Sequence, residues 1–225
     1  MIRAVIFDID NTLYDYDNCH ASAMNALQTF SCQKYHITAN EFLRKFDKSK
    51  DIVKNQLGDT ASSHNRMLYM QLFLEQICQK PASGALELYD IYWDTILRQM
   101  EPYPYVIPLM QELKRNNITI GVLTDLTAHI QHRKLRNLGL TEYIDILVTS
   151  EEAGVEKPSP IIFKKLLDKL SPISPNEVLM IGDSEIKDIL GAKAAGMIAI
   201  RFAPTDKSDM FRKAMEYINE KYTER

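Results

Sequence analysis

Five short apolar runs are spread along the sequence, and most of them are continuous rather than alternating. The runs are residues 2–7, 118–123, 144–148, 178–181 and 197–202. Continuous apolar runs of this length are typical of parallel strands that are buried on both faces of a sheet. We therefore predict a parallel sheet of five strands.

Stretches of helix-like sequence lie between the last four runs. Residues 127–138 end at Gly139, which suits the C-cap of a helix. Residues 160–170 open with Pro160 in the first turn, and residues 185–195 are also followed by glycine. This alternation of strand and helix predicts right-handed βαβ units and an α/β fold with a doubly wound sheet.

The interval between the first two runs departs from that alternation. It holds about a hundred residues, in which apolar positions recur at spacings of three and four, as in amphipathic helices. Hinges are expected at 14–17 and 102–104, where Pro102 and Pro104 stiffen the returning chain. We predict a core of residues 1–15 and 102–225 and an inserted helical domain of residues 16–101.

Composition limits the classes of function. The chain has 225 residues, of which 45% are hydrophobic and 25% charged, with a formal net charge of -3. We expect no nucleic-acid polymer as a partner, because no long basic block is present. No apolar run approaches the roughly 20 residues of a membrane span, so no membrane association is expected. The three cysteines form no C-x-x-C pair, and we predict reduced thiols in a cytoplasmic protein.

Polar residues follow four of the five apolar runs. They are Asp8 and Asp10, then Thr124 and Asp125, then Ser150, Glu151 and the more distant Lys157, and finally Gly182, Asp183 and Ser184. Parallel strands end at one edge of a sheet, so we expect these groups to meet there. Clustered carboxylates are costly without a cation, and oxygen ligands suit Mg²⁺. A hydroxyl and an ammonium beside them indicate a bound phosphate.

Asp8 and Asp10 are two residues apart at the end of a strand, which places their side chains on the same side. One carboxylate can then attack a substrate while the other moves a proton. Taken alone, the pair could equally be two solvated loop acids, and the other three segments favour the catalytic interpretation.

These residues resemble the four signatures of the haloacid dehalogenase-like hydrolases, in the right order. The matching segments are Asp8-Ile9-Asp10-Asn11-Thr12, then Thr124, then Lys157-Pro158, and then Gly182-Asp183-Ser184 with Asp188. One branch of this family carries a mobile helical cap where this chain has its insertion. The chain resembles the capped small-molecule phosphatases, such as pyrimidine nucleotidases, N-acylneuraminate-9-phosphatases and phosphoglycolate phosphatases. The resemblance implies a Rossmann-like core and a cap at residues 16–101.

The resemblance also implies a role for each site residue. Asp8 would attack phosphorus, and Asp10 would protonate the leaving oxygen and then activate water. Thr124 and Lys157 would hold the phosphoryl oxygens. The metal site for Mg²⁺ would comprise Asp8, Asp183 and the backbone carbonyl of Asp10. Asp188 and Ser184 would contact and orient these groups without themselves binding the metal or the substrate.

Two features of the sequence leave alternatives open. Asp125 stands where many relatives have Asn or Ser, and it is either a substrate contact or a turn residue. A basic stretch also lies in the insertion, formed by Arg44, Lys45, Lys48, Lys50 and Lys54. A solvated helix face is the favoured interpretation of this stretch, and contact with a substrate phosphate is the alternative.

We expect an enzyme, a phosphatase acting on a small phosphorylated metabolite, as a monomer or homodimer. A dehalogenase is disfavoured, because a halide needs no acid such as Asp10. A phosphomutase of the same superfamily and a signalling module with a long-lived phosphoaspartate remain as alternatives. The metabolite is a nucleoside monophosphate or a phosphosugar. Nucleotides are slightly favoured by the overall resemblance, and also because Tyr14 and Tyr16 could stack on a base.

Overall fold

The chain divides into two compact units in a computed structural model that describes residues 1–202, 214, 215 and 218. The sheet unit joins Met1–Asp15 to the chain from Glu101 onward, and the inserted unit is Tyr16–Met100. The second junction lies one residue before the predicted one. The rest of the predicted core, residues 203–213, 216, 217 and 219–225, lies outside the described residues.

Four helices build the inserted unit. They are α1 (Tyr16–Tyr35), α2 (Ala39–Leu57), α3 (Arg66–Gln76) and α4 (Pro81–Gln99), with a 3₁₀ turn at Ala61–His64 before α3. Local capping explains where two of them begin, because Thr38 accepts a hydrogen bond from the backbone of Glu41 and Asn65 accepts one from Met67. Helix α4 packs against both α1 and α3. The core of this unit includes contacts among the rings of Phe42, Phe46 and Phe73.

Five parallel strands form the sheet in the described part of the other unit. They are β1 (Ala4–Phe7), β2 (Thr119–Thr124), β3 (Ile146–Thr149), β4 (Val178–Gly182) and β5 (Ile198–Arg201). Their spatial order is β3-β2-β1-β4-β5, so the winding reverses between β1 and β4. The prediction of a doubly wound parallel sheet is confirmed. Ligands of such sheets bind at the reversal point, beyond the carboxyl ends of the strands.

Helices connect these strands. They are α5 (Val106–Arg115), α6 (Ala128–Asn137), α7 (Ser150–Ala153), α8 (Pro160–Leu170) and α9 (Gly191–Ala194), with 3₁₀ turns at Thr141–Tyr143 and Pro175–Glu177. The predicted helix at 185–195 differs, because it opens as a π-helical turn, Glu185–Leu190. There the backbone N–H of Ile189 donates to the carbonyl of Ser184, five residues earlier. Single π turns are often found at functional sites.

None of the helices in the described residues combines the length and the apolar character that crossing a membrane requires. The cytoplasmic location and the oligomeric state stay predictions.

Candidate active site

The residues predicted for the site meet at the carboxyl edge of the sheet. They line one cavity of about 220 Å³, which is bounded by Asp8, Asp10, Asn11, Thr124, Asp125, Lys157, Asp183, Ser184, Lys187 and Asp188. The register of the strands explains why these residues lie together. Phe7 of β1 pairs with Val122 of β2 and with Ile181 of β4. The chain therefore leaves β1 between the ends of the two neighbouring strands, at the point where the winding reverses.

The ammonium group of Lys157 joins two of the carboxylates. It donates to Oδ1 of Asp8 at 2.7 Å, to Oδ1 of Asp188 at 2.6 Å and to the carbonyl of Leu123 at 3.1 Å. Burial by itself would lower the pKa of Lys157, but the charges of Asp8, Asp188 and Asp125 raise it above its usual value. Lys157 is therefore a fixed positive charge beside Asp8.

Three carboxylates lie close enough to hold one cation. Oxygen atoms of Asp8, Asp183 and Asp188 lie within 4.8 Å of one another. Burial raises the pKa of Asp8 to about 8, and Lys157 offsets only part of that effect. Burial, followed by the charge of Asp188, raises the pKa of Asp183 to about 6. A divalent cation would favour the ionised carboxylates, and all-oxygen ligands fit Mg²⁺.

Asp10 lies outside this group of three carboxylates. Lys134 donates to both of its carboxylate oxygens at 2.7 Å, and the hydroxyl of Tyr14 donates to Oδ1 at 2.7 Å. The side chain of Lys134 is fully buried. The Asp10 carboxylate is thus oriented by a buried ammonium, and the predicted contact of Asp10 with a metal uses its backbone carbonyl.

Thr124 and Asp125 organise the end of β2. Gln131 of α6 donates to Oγ1 of Thr124 at 2.7 Å and to the carbonyl of Asp125 at 2.5 Å. The carboxylate of Asp125 accepts from the backbone N–H of Lys157 at 3.0 Å and from Nζ of Lys187 at 2.8 Å. Asp125 therefore connects the loops around the cavity. Lys187 also donates to Glu156 at 3.1 Å, which extends this ion pair.

The end of β4 requires glycine. A Cβ atom on Gly182 would collide with the carboxylate of Asp188, so a larger residue would displace that side chain. Oδ2 of Asp188 accepts from the backbone N–H of Ser184 at 3.0 Å, and Oγ of Ser184 accepts from the backbone of Lys187 at 3.2 Å. These contacts hold Asp188 against Lys157 and keep the loop that carries Asp183 in place.

Comparison with known families decides what kind of protein carries this arrangement. The haloacid dehalogenase-like hydrolase family matches residues 2–196, which is most of the chain. The protein belongs to this family. The resemblance seen in the sequence is confirmed, and the alternative of a signalling module is set aside.

The hydrolase is similar to proteins named as phosphatases. It is 38% identical to a ribulose-1,5-bisphosphate 5-phosphatase of Halopiger xanaduensis, with 95% of this chain and 90% of the other covered. It is 33% identical to a glyceraldehyde 3-phosphate phosphatase of Methanopyrus kandleri, over 93% and 88%. Among solved structures, a 2-haloacid dehalogenase from Pseudomonas syringae matches with a TM-score of 0.73 at 25% identity, over 91% and 88%. This hydrolase is an enzyme that acts on phosphoric monoesters.

Sequence reasoning missed three side chains around this hydrolase's cavity. Lys134 was detectable in principle, because it lies four residues after Ile130 and four before Leu138, within the apolar stripe of α6. A lysine in such a stripe needs a buried partner. Gln131 and Lys187 have no comparable signal, since their partners come from distant segments of the chain.

Proposed function

We propose that the protein is a magnesium-dependent phosphatase that hydrolyses a small phosphomonoester through an aspartyl-phosphate on Asp8. The observation that carries this proposal is the contact of Asp8 with the buried ammonium of Lys157 at 2.7 Å, beside Asp183 and Asp188. The pair lies where the winding of the sheet reverses, which is where substrates bind in such folds.

In the first step, an oxygen of Asp8 attacks phosphorus while the bond from phosphorus to the ester oxygen breaks. Asp10 gives its proton to the departing oxygen, and Lys157 and Thr124 hold the phosphoryl oxygens. In the second step, Asp10 takes a proton from water, which attacks the aspartyl-phosphate. Phosphate leaves, and Asp8 returns to a carboxylate. Lys134 supports both steps by fixing the Asp10 carboxylate through two hydrogen bonds.

Magnesium, when bound, would neutralise the charge of the carboxylates and of the phosphoryl group. We assign it to the carboxylates of Asp8 and Asp183 and to the backbone carbonyl of Asp10. Asp188 is engaged by Lys157 and by the backbone of Ser184, and it serves to position Lys157. The raised pKa values of Asp8 and Asp183 support this assignment, because clustered buried acids favour a cation.

Phosphate transfer is favoured over dehalogenation by the environment of Asp10. A halide leaves without a proton, so a dehalogenase has no use for an oriented acid beside the nucleophile. In this chain, a fully buried lysine is committed to orienting that acid. Burying an ammonium is costly, which indicates that the orientation of Asp10 matters for function.

We propose a phosphosugar as the substrate. The names of two relatives, a ribulose-1,5-bisphosphate 5-phosphatase and a glyceraldehyde 3-phosphate phosphatase, support this class. The slight preference for nucleotides depended partly on Tyr14, and that part was wrong. The ring of Tyr14 is 0% exposed and its hydroxyl is bound to Asp10, so it cannot stack on a base. The ring of Tyr16 stacks on His20 instead.

We further propose that the inserted unit acts as a cap that selects small metabolites. Phosphoproteins should then be poor substrates, as expected for a site that closes over its ligand. Comparing kcat/KM for phosphosugars and a phosphorylated protein tests this. A phosphoprotein that matches the best metabolite would contradict the cap assignment.

The decisive experiment measures phosphate release with and without divalent metal. Substrates are ribulose 1,5-bisphosphate, glyceraldehyde 3-phosphate and pyrimidine nucleoside monophosphates. We expect chelation to abolish activity, Mg²⁺ to restore it and Ca²⁺ to restore little, because Ca²⁺ takes more ligands in a looser geometry. Full activity after exhaustive chelation would contradict the magnesium site. Transfer of the phosphoryl group to another sugar without release of phosphate would indicate a phosphomutase.

A further inference from the structure

A second polar cavity lies wholly within the inserted unit. Its volume is about 220 Å³, and the charged residues and histidines of its lining are His20, Asp47, Lys50, Lys54, His64 and Arg66. Helix α1, helix α2, the 3₁₀ turn and the start of α3 each contribute to it. Phe46, Lys50 and Lys54 are spaced by four residues and therefore lie on one face of α2.

Cations outnumber anions in this lining. Lys50, Lys54 and Arg66 are positive, and Asp47 is the one carboxylate among the lining residues of the described cavity. Asp47 lies 2.9 Å from Lys50 and offsets its charge. The formal charges of these lining residues therefore sum to a positive value.

The partners of Arg66 are uncharged. Its guanidinium donates to the hydroxyl of Tyr92 at 3.3 Å, to the carbonyl of His64 at 2.8 Å and to the hydroxyl of Tyr16 at 2.9 Å. Arg66 is partly buried, and within the described residues its hydrogen bonds go only to these neutral oxygens. These bonds fix the guanidinium while its charge stays uncompensated, which prepares it for an anion.

The pKa of His20 reflects the same positive environment around Arg66. Burial lowers its pKa, and the charge of Arg66 lowers it further. Its Nδ1 lies 2.7 Å from the hydroxyl of Tyr92, which also contacts Arg66. A neutral histidine beside a fixed guanidinium leaves an imidazole that can hydrogen-bond to an anion without adding charge.

We propose that this cavity is a binding site for a phosphate group that is not hydrolysed. The proposal rests on the phosphatase function and deepens it: the group is either the second phosphate of a sugar bisphosphate substrate or a free phosphate ion. Guanidinium and ammonium groups match the charge of phosphate. Met24 and Phe46 supply an apolar wall suited to a carbon chain.

The structure also divides the basic stretch of the sequence. Lys50 and Lys54 line the cavity, whereas Arg44 and Lys48 are exposed and lie outside its lining. A solvated helix face therefore describes Arg44 and Lys48, and contact with a phosphate is proposed for Lys50 and Lys54. Lys48 is a matched control for variants of those two lysines, because it lies on the same helix.

Binding is tested first, without turnover. The imidazole signals of the histidines are followed by NMR while metal-free protein is titrated with inorganic phosphate. We expect His20 and His64 to shift in a saturable way, while His129 and His132 of the exposed face of α6 do not. Lys50→Gln with Lys54→Gln should weaken this binding roughly tenfold, and Lys48→Gln should leave it unchanged. No response of His20 and His64 at phosphate concentrations that saturate the protein would overturn the proposal.

Kinetics then identifies the source of the phosphate. If the group belongs to the substrate, the double lysine variant should raise KM for ribulose 1,5-bisphosphate roughly tenfold, with kcat and the KM for glyceraldehyde 3-phosphate unchanged. If both KM values are unchanged while His20 and His64 still respond, the site binds free phosphate. An equal rise for both substrates would overturn the assignment to the second phosphate. Absence of phosphate release from every substrate would refute the phosphatase function, whereas the NMR result would stand.

Discussion

The cavity of the candidate active site and the cavity around Arg66 carry opposite electrostatics. In the catalytic cavity, buried carboxylates surround ammonium groups, and Lys157 and Lys134 each bind acids at 2.6–2.7 Å. In the cavity of the inserted unit, cations predominate and Arg66 is held by neutral oxygens. The first arrangement suits the metal cation and the reacting groups that we propose, whereas the second suits the proposed anion. The difference separates chemistry from recognition within one chain.

The shifts in pKa express this contrast. Burial raises the pKa of Asp8 to about 8, and neighbouring acids add to the effect. Burial lowers the pKa of His20, and a neighbouring cation adds to that effect. In the absence of a ligand, each cavity therefore favours the neutral form of this titratable group.

The largest expected effect follows from removing the proposed nucleophile. Asp8→Asn should lower kcat at least about 10⁴-fold, because an amide cannot form the acyl-phosphate. The lysine variants of the second cavity should change KM instead. Steady-state measurements of phosphate release give both kcat and KM. Asp168→Asn, at an exposed position on α8, is the matched control. If the turnover of Asp8→Asn is within tenfold of the wild type, Asp8 is not the nucleophile.

Removing the proton donor should cost less. Asp10→Asn is expected to lower kcat by about 10²–10⁴-fold. The loss should be smaller for an aryl phosphate than for an alkyl phosphate, since a phenolate leaves with less need of a proton. Equal losses for the two leaving groups would show that Asp10 is not the acid.

Lys134 should act through Asp10. Lys134→Met is expected to lower kcat roughly 10–100-fold, with KM within about threefold, because the carboxylate loses two hydrogen bonds that orient it. Adding this change to Asp10→Asn should then cost little more than Asp10→Asn alone. Thermal unfolding of each variant controls for loss of the fold. If the two losses multiply, Lys134 acts independently of Asp10.

The smallest effect concerns stability in the absence of metal. A carboxyl group with a raised pKa stabilises the folded state below about pH 4, and this contribution is lost as the pH rises towards about 8. Asp8→Asn lacks that loss, so its free energy of unfolding relative to the wild type should increase between pH 5 and 8. Urea unfolding at several pH values measures this. Mg²⁺ should reduce the difference in unfolding free energy between Asp8→Asn and the wild type. If that difference is independent of pH, the pKa of Asp8 is not raised.

The sequence by itself determined the sheet and the place of most residues of the candidate site. Continuous apolar runs predicted each of the five strands to within two residues at either end. The residues that follow a strand are fixed at its end by chain connectivity. Asp8, Thr124 and Asp183 could therefore be placed at one edge of the sheet from the sequence alone, because parallel strands end together.

Only the tertiary structure showed the partners of these residues. Lys134 meets Asp10 across 124 positions of sequence, and Lys187 meets Asp125 across 62. Helical periodicity tells which residues share a face, but not what that face meets. The cavity around Arg66 has the same origin, since its cations come from α2 and α3 and its neutral hydroxyls come from α1 and α4. Local patterns specify elements, whereas the ion pairs and cavities depend on contacts that form only when distant segments pack together.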